Sequence, residues 1–313
     1  MRITPLNRFH DCHSKLECVM DMRALRAFLA VSETGSFSLA GERLHLSQPA
    51  VSKRIGQLES DLGQRLFDRL PRRVLPTEAG RALLPYARAA VAALEDGQRV
   101  LGRLADEPRG PLRFAASHHV GLRRLPGVLS EYGRRHPQVA LDLHLMESER
   151  ACSAVAEGEM ELAISTLPDV PVAELATRVL WADALCLVAA AEHPLLVAGG
   201  HPSAAQLSSY PAVLPERGTF TRNLIDRALA RSGIRANVRM ETGNLESLRM
   251  LAAAGLGWSL LPESLIETPL RRLRLDGLEA RRELGVVQHA RRQQSAAAKA
   301  LIELLVAGPA GAP

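Results

Sequence analysis

The 313-residue sequence predicts a chain in two parts. The first is an N-terminal all-α winged helix-turn-helix continued by a long linker helix. The second is a C-terminal α/β domain of the periplasmic-binding-protein-like kind, built from two Rossmann-like subdomains. Three observations predict this. A Pro-started amphipathic helix opens at Ser47-Gln48-Pro49 just behind a shorter helix, a Pro/Gly-rich hinge lies at Asp106 to Pro111, and beyond it strand-like and helix-like segments alternate.

Bulk composition sets the outer limits. Apolar residues make up 47% and charged residues 23%, as in globular domains, and no apolar run approaches the roughly 18 residues that a membrane span needs. Residues 1–20 carry Arg2, Arg8, Asp11, Lys15 and Glu17, which leaves no apolar core for a secretion signal. They are read as a disordered extension or a mis-assigned start, and a cytoplasmic location is expected. Cys12, Cys18, Cys152 and Cys186 form no disulfide framework, and Cys12, His13 and Cys18 match no zinc spacing, so neither metal nor cofactor is expected. The net charge of +5 permits nucleic-acid binding, and its distribution says more: Arg65, Arg69, Arg72 and Arg73 face one acid, Asp68, between Gly63 and Pro76.

The N-terminal domain is expected over 21–76. Leu25, Phe28, Leu29 and Val31 recur at helical spacing from Arg23 to Thr34, and Gly35 ends the run. Ser36 or Ser38 can cap a short helix through Leu44, with Leu39, Ala40 and Leu44 turned inward. Ser47 stands at the N-cap of the third helix, Pro49 sits in its first turn, and Val51, Ile55, Leu58 and Leu62 form its buried stripe. Leu66-Phe67 and Val74-Leu75 then flank a basic tip and predict the hairpin of a wing. From Thr77 to 107, Leu83, Ala87, Ala90, Leu94, Gly97, Leu101 and Leu104 alternate by four and three, a heptad seam suited to dimerisation or to lying on its own domain.

The α/β domain is expected over 112–305. Leu112 to Ala116 reads as a strand, His118 to Arg135 as one helix, Val139 to Met146 as an alternating strand, Glu149 to Glu157 as a helix and Leu162 to Ser165 as a strand. Leu180 to Ala190 reads as a strand, Phe220 to Ser232 as a helix, Val238 to Met240 as a strand, Leu245 to Ala254 as a helix, and Trp258 to Leu261 as a strand. A last helix, Ser295 to Val306, is expected to return to the first subdomain. Subdomain I would then comprise about 112–181 and 265–305, and subdomain II about 182–264.

Leu25-Arg26-Ala27-Phe28, Gly35-Ser36-Phe37, Leu44 through Ser52, Leu58-Glu59, Leu62-Gly63, Leu66-Phe67-Asp68-Arg69 and Thr77-Glu78-Ala79-Gly80 resemble the LysR-type transcriptional regulators. The resemblance is tight to Gly80 and looser to about Leu305. It implies a DNA-binding regulator whose third helix enters the major groove, whose wing touches the backbone or minor groove, and whose linker helix dimerises. Pairs of dimers would form homotetramers on operator DNA, with RNA polymerase as a further partner. Gln48 can pair with an adenine edge, while Ser47, Ser52, Lys53 and Arg54 suit phosphate or base contact and Arg72 and Arg73 suit the wing. Ser36, Pro49 and Arg69 complete the expected DNA-facing set. Ser47 can equally serve as a plain helix cap.

The same resemblance places an effector between the two subdomains, where strand ends and helix starts converge. Ser117, His118 and His119 follow the first strand, Ser148 and Thr166 end the next two, Thr219, Phe220 and Thr221 open a helix, and Asn244 follows Gly243. Helix starts and hydroxyls suit a small carboxylate or oxyanion. Against this, Ser117, Thr219 and Asn244 can be caps, Phe220 core, and either histidine a surface residue. Two other functions stay open, a redox-responsive regulator using Cys152 or Cys186 and a solute-binding protein without DNA binding. An enzyme is not expected, since no GxSxG, GxGxxG, P-loop or HExxH occurs.

Overall fold

A computed structural model describes residues 21–70, 73–102 and 107–308. The expected extension at 1–20, together with Arg72 and Leu104, lies outside the described residues. The chain divides into two compact units, 1–98 and 99–313.

The first unit opens with α1 (Met22–Thr34), whose N-cap Asp21 accepts from the Ala24 amide and whose end is turned by Gly35 at φ +62°. In α2 (Phe37–Leu44) the Ser36 hydroxyl caps the Leu39 amide. The turn into α3 (Gln48–Leu62) needs a small residue at Gly41, where a Cβ would lie 2.7 Å from the Leu46 carbonyl oxygen. Strands β1 (Phe67–Leu70) and β2 (Arg73–Pro76) pair antiparallel as a hairpin, and α4 runs Glu78–Gly102. Phe28, Val31, Ala40, Val51, Ile55, Leu58 and Leu66 pack the core. Phe67 joins them with its ring centroid 5.3 Å from that of Phe28.

Local motifs lock the hairpin to this core. The Glu59 carboxylate accepts from the Leu66 and Phe67 amides at 2.8 and 3.2 Å, and the Thr77 hydroxyl donates to the Arg65 carbonyl at 2.6 Å while accepting from the Gly80 amide. Two sequence expectations are corrected here. Leu39 is 51% exposed and Phe37 takes the inward place, because capping at Ser36 rotates α2 to bury Phe37, Ala40 and Gly41. The seam of α4 begins as core, with Leu83, Ala87 and Ala90 against the first unit, whereas Leu94 is 54% exposed.

The second unit contains β3 (Gly110–Ala116), α5 (His118–Arg123), α6 (Pro126–Arg135), β4 (Val139–Leu145), α7 (Ser148–Ala156) and β5 (Leu162–Thr166). The long β6 (Leu175–Ala190) leads to α8 (Pro194–Val197), α9 (Ala204–Ser209), β7 (Pro211–Pro215) and α10 (Phe220–Arg231). Then come β8 (Asn237–Thr242), α11 (Leu245–Ala253), β9 (Ser259–Pro262), β10 (Leu270–Arg272), β11 (Ala280–His289) and α12 (Ala296–Ala307). One sheet has the order β10-β6-β11-β5-β3-β4, with β9 also pairing with β6, and β7 pairs in parallel with β8.

Among the described residues, the two largest of this unit's four apolar clusters hang on this frame. Leu112, Phe114, Leu162 and Ile164 pack under α6 and α12, and the Tyr132 hydroxyl donates to the Ala297 carbonyl at 2.8 Å. The last helix therefore returns to the first strands, as expected. Leu207, Leu214, Ile225 and Leu260 surround Trp258, whose indole N–H donates to the Leu207 carbonyl at 2.9 Å. A buried indole with its N–H satisfied contributes its whole apolar area without a stranded donor.

The segment His118 to Arg135 is two helices rather than one. Pro126 lacks an N–H and so cannot continue the hydrogen-bond ladder of α5, which stops at Arg123, and α6 restarts with proline in its first turn. Strand β6 begins five residues before the expected Leu180, and β11 was not anticipated at all. β11 pairs with β6 from Ala280↔Leu185 to His289↔Leu175, with a bulge at Leu284/Gly285. Gly285 permits that approach, since a Cβ there would lie 2.1 Å from the Arg178 carbonyl oxygen.

Candidate functional site

The first candidate surface is the exposed face of α3. Ser47, Gln48, Pro49 and Lys53 are exposed, Ser52 and Arg54 half-buried, while Val51, Ile55 and Leu58 are spent on the core. Ser47 occupies the N-cap position with extended backbone, but its side chain makes no capping hydrogen bond. Its hydroxyl is thus not committed to the helix start. Ser36, by contrast, is committed to the Leu39 amide. On the hairpin, Arg73 is exposed at the start of β2, opposite Leu70, and Arg69 lies in β1, where only its backbone is described.

The second is a cleft in the second unit. Ser117, His118 and His119 enter it from the junction of β3 and α5, Ser148 from α7 and Thr166 from the end of β5. Thr219 and Thr221 line it from the start of α10, and Asn244 from the cap of α11. Parallel strands and their following helices bring carboxyl strand ends and helix starts to one rim, which is why residues far apart in sequence meet here. Phe220 does not line the cleft: its ring packs against the cluster of Cys152, Val155 and Met160, and only its amide faces Glu149.

Some of these polar groups are occupied by local structure. The Thr219 hydroxyl caps the Arg222 amide and donates to the Glu216 carbonyl, and Asn244 Oδ1 accepts from the Ser247 amide. Ser148 Oγ accepts from the Thr166 amide at 3.2 Å. Ser117 starts α5 with no side-chain cap bond.

Sequence reasoning missed the charged residues of the lining. Arg282 of β11 is buried, and its Nη2 and Nε both donate to Asp183 Oδ2 at 2.6 and 2.8 Å. Its Nη1 reaches only the Thr166 and Thr221 hydroxyls, at 3.4 and 3.3 Å. Glu147 and Glu149 also line the cleft. Glu149 Oε1 accepts from the Phe220 amide at 2.5 Å, so a carboxylate of the protein already sits at the first turn of α10. The expectation of a simple anion at that helix start must accommodate this.

His119 is 4% exposed, and neither ring nitrogen has a hydrogen-bond partner, with Nε2 3.8 Å from Asp183 Oδ2. Burial, and then the Arg282 guanidinium, hold its pKa down to about 4, so the ring is neutral with one donor and one acceptor nitrogen. Burial pushes the Cys152 thiol up to about 11 and raises that of Cys186 as well. Both therefore remain protonated near neutrality. Among the described residues, no group of three or more His, Cys, Asp or Glu is placed to hold a metal ion, and no helix is long and apolar enough to cross a membrane.

A helix-turn-helix with a wing, in one chain with a polar two-sided α/β cleft, defines a ligand-responsive DNA-binding regulator. Residues 22–81 match the family model of the bacterial regulatory helix-turn-helix protein, lysR family, and 105–310 match the LysR substrate binding domain. The chain is similar to the uncharacterized regulator YfeR of Shigella flexneri, 32% identical over 93% of this chain and 97% of that one. It is 62% identical, over 34% of its length and 74% of the relative's, to an uncharacterized regulator from the ibpB-leuC intergenic region of Azotobacter vinelandii. In fold it is similar to full-length CbnR solved with its target DNA, with TM-score 0.62, 22% identity and coverage of 91% of this chain and 99% of that one. The chain belongs to the LysR family of DNA-binding transcriptional regulators and carries that family's effector-binding domain.

Proposed function

We propose that this regulator reads a specific operator as a dimer or tetramer and that a small carboxylate bound in the cleft of its second unit modulates it. The observation that carries the first half is the start of α3: Gln48 is exposed with no packing role, and the Ser47 hydroxyl beside it is not used as a cap. A long amide there suits paired hydrogen bonds to an adenine edge, with Ser47, Ser52, Lys53 and Arg54 toward phosphate. Arg69, Arg72 and Arg73 would follow the adjacent backbone or minor groove, in a contact that weakens steeply with salt. The exposed Leu94 and Tyr86 of α4 suit a second copy of that helix. RNA polymerase would be met on the DNA, the location is cytoplasmic, and the second unit binds rather than converts its ligand.

For the cleft, Arg282 Nη1 and the Thr166 and Thr221 hydroxyls make only long mutual contacts and suit a carboxylate, with Ser117 nearby. Thr219 and Asn244 shape the walls through their caps, and Ser148 through the bond it accepts from the Thr166 amide. A mobility-shift assay with DNA upstream of the gene tests the reading. Retardation is expected, with loss of at least tenfold in affinity for Gln48→Ala combined with Arg73→Ala, and no retardation at any salt concentration overturns it. In a redox-responsive regulator, peroxide would change DNA affinity and Cys152→Ser or Cys186→Ser would abolish the change. The raised thiol pKa values support the opposite outcome, an unchanged affinity.

A further inference from the structure

The charges around the cleft are not those of a site for an anion alone. The Arg282 charge is balanced within the protein by Asp183, through two bonds to one carboxylate oxygen. Glu147, the N-cap residue of α7, and Glu149, in its first turn, both line the cavity. Glu147 Oε1 lies 3.5 Å from His118 Nδ1, beyond hydrogen-bond contact. On the other side it leans on the backbone of Gly243, where a Cβ would come within 3.2 Å of the Glu147 carboxyl carbon. Burial pushes the Glu147 pKa up, with His118 acting against it and Glu149 and Glu216 adding to it. A carboxylate strained in that direction gains from a cation beside it.

A second, independent feature also points to a ligand. His119 is buried with two unpartnered nitrogens at the same cavity, and an unsatisfied polar group there costs free energy until something pairs with it. Its neutral ring can accept one hydrogen bond and donate one. The cavity lining thus has two charge poles, the Glu147 and Glu149 carboxylates and the Arg282 Nη1 with the Thr166 and Thr221 hydroxyls.

We propose that the effector carries an ammonium group beside its carboxylate, as an amino acid or similar amino-carboxylate does, with the ammonium donating to Glu147 and the carboxylate facing Arg282 Nη1 and Thr221, while His119 hydrogen-bonds the ligand between them. This rests on the reading of the cleft as the effector site. A simple anion pays repulsion from two glutamates, and a simple amine leaves Arg282 Nη1 and the threonines unanswered. A zwitterion satisfies both poles and brings no net charge into a partly desolvated site. Selectivity then comes from the buried polar groups, which reject analogues that leave them unpaired.

The test is a thermal-shift and calorimetric screen of the full-length protein. The probes are the standard amino acids, each accompanied by the same skeleton lacking the amine and the same skeleton lacking the carboxylate. At least one amino acid is expected to raise the melting temperature and to bind at least tenfold more tightly than either of its truncated partners. Glu147→Gln should weaken the amino acid at least tenfold and leave the deaminated acid unchanged or tighter, and Thr221→Val should weaken both, each against the melting temperature of the unliganded variant. Binding of deaminated acids equal to or tighter than that of the amino acids, or no response to any amino acid, overturns the proposal. If acids bind and Thr221→Val weakens them, the cleft reading survives without its zwitterion. If an amino acid binds but neither variant changes its affinity, the cleft reading itself fails.

Discussion

Removing Arg282 while keeping Asp183 isolates the energetics of the cleft floor. Both side chains are almost wholly buried, at 3% and 5% exposure, and the guanidinium places two charge-assisted bonds on one carboxylate oxygen. Arg282→Met preserves the stem and its packing but leaves the Asp183 carboxylate in the interior. Breaking such a pair from one side costs about 3–5 kcal/mol. Arg124 Nη2, 4.0 Å from Asp183 Oδ1, remains as a distant partner, so a value near the lower end, about 3 kcal/mol, is expected. Asp183→Leu together with Arg282→Met removes the stranded charge, and the double variant should recover to within about 1–2 kcal/mol of the parent. Both tryptophans, Trp181 and Trp258, lie in the second unit, so urea unfolding followed by tryptophan fluorescence reports that unit without the N-terminal one. With a slope of about 3 kcal/mol/M, the single variant should lose about 1 M in midpoint and the slope should stay constant. A double variant as unstable as the single one would refute the reasoning, because the cost would then lie in lost packing rather than in an uncompensated carboxylate.

Two further outcomes follow from the same structure. His119 titrates near 4 when folded against 6.5 ordinarily, so the unfolded chain takes up the proton first as pH falls; stability is full above 6.5 and is lost progressively down to about 4. At about 1.4 kcal/mol per pKa unit the loss totals about 3 kcal/mol, and the urea midpoint of the parent should therefore fall more steeply between pH 7 and 4.5 than that of His119→Asn; parallel slopes would contradict the assignment. In the N-terminal unit, Gly80→Ala places a Cβ 2.2 Å from the Leu66 carbonyl oxygen. Because the nearest atoms are the Leu66 backbone, which cannot swing aside as a side chain would, it should destabilise by about 1–3 kcal/mol and weaken DNA retardation, whereas Gly97→Ala, with nothing within 4 Å, should leave both intact or slightly improved.

Much of this molecule is written in local chemistry. Asp21, Gly35, Ser36, Pro49 and Gly63 mark helix ends by backbone rules that act within a few residues, so the head and its recognition helix were legible from sequence. The hydroxyls and histidines of the cleft were legible for a related reason: in α/β units the strand-to-helix junctions share one rim, and a polar residue at such a junction is placed by connectivity alone. Phe220 shows the limit, since its junction was read correctly but its ring turned inward to Cys152. What only the tertiary structure decided is the charge of the cleft. Arg282 and Asp183 stand 99 residues apart, on strands whose antiparallel register brings them together, and no local pattern announces that pairing. Strand β11 carries Arg281, Arg282 and Glu283 near its start, a charged run in which only Arg282 is buried, because the register with β6 sets it against Asp183. Glu147 and Glu149 could be seen as acids at a helix start, but their contacts with Gly243 and Phe220 depend on distant segments brought together by the fold. Short-range caps and turns act within the local chain and can be read there, whereas the compensation of buried charge is a property of distant segments brought into contact.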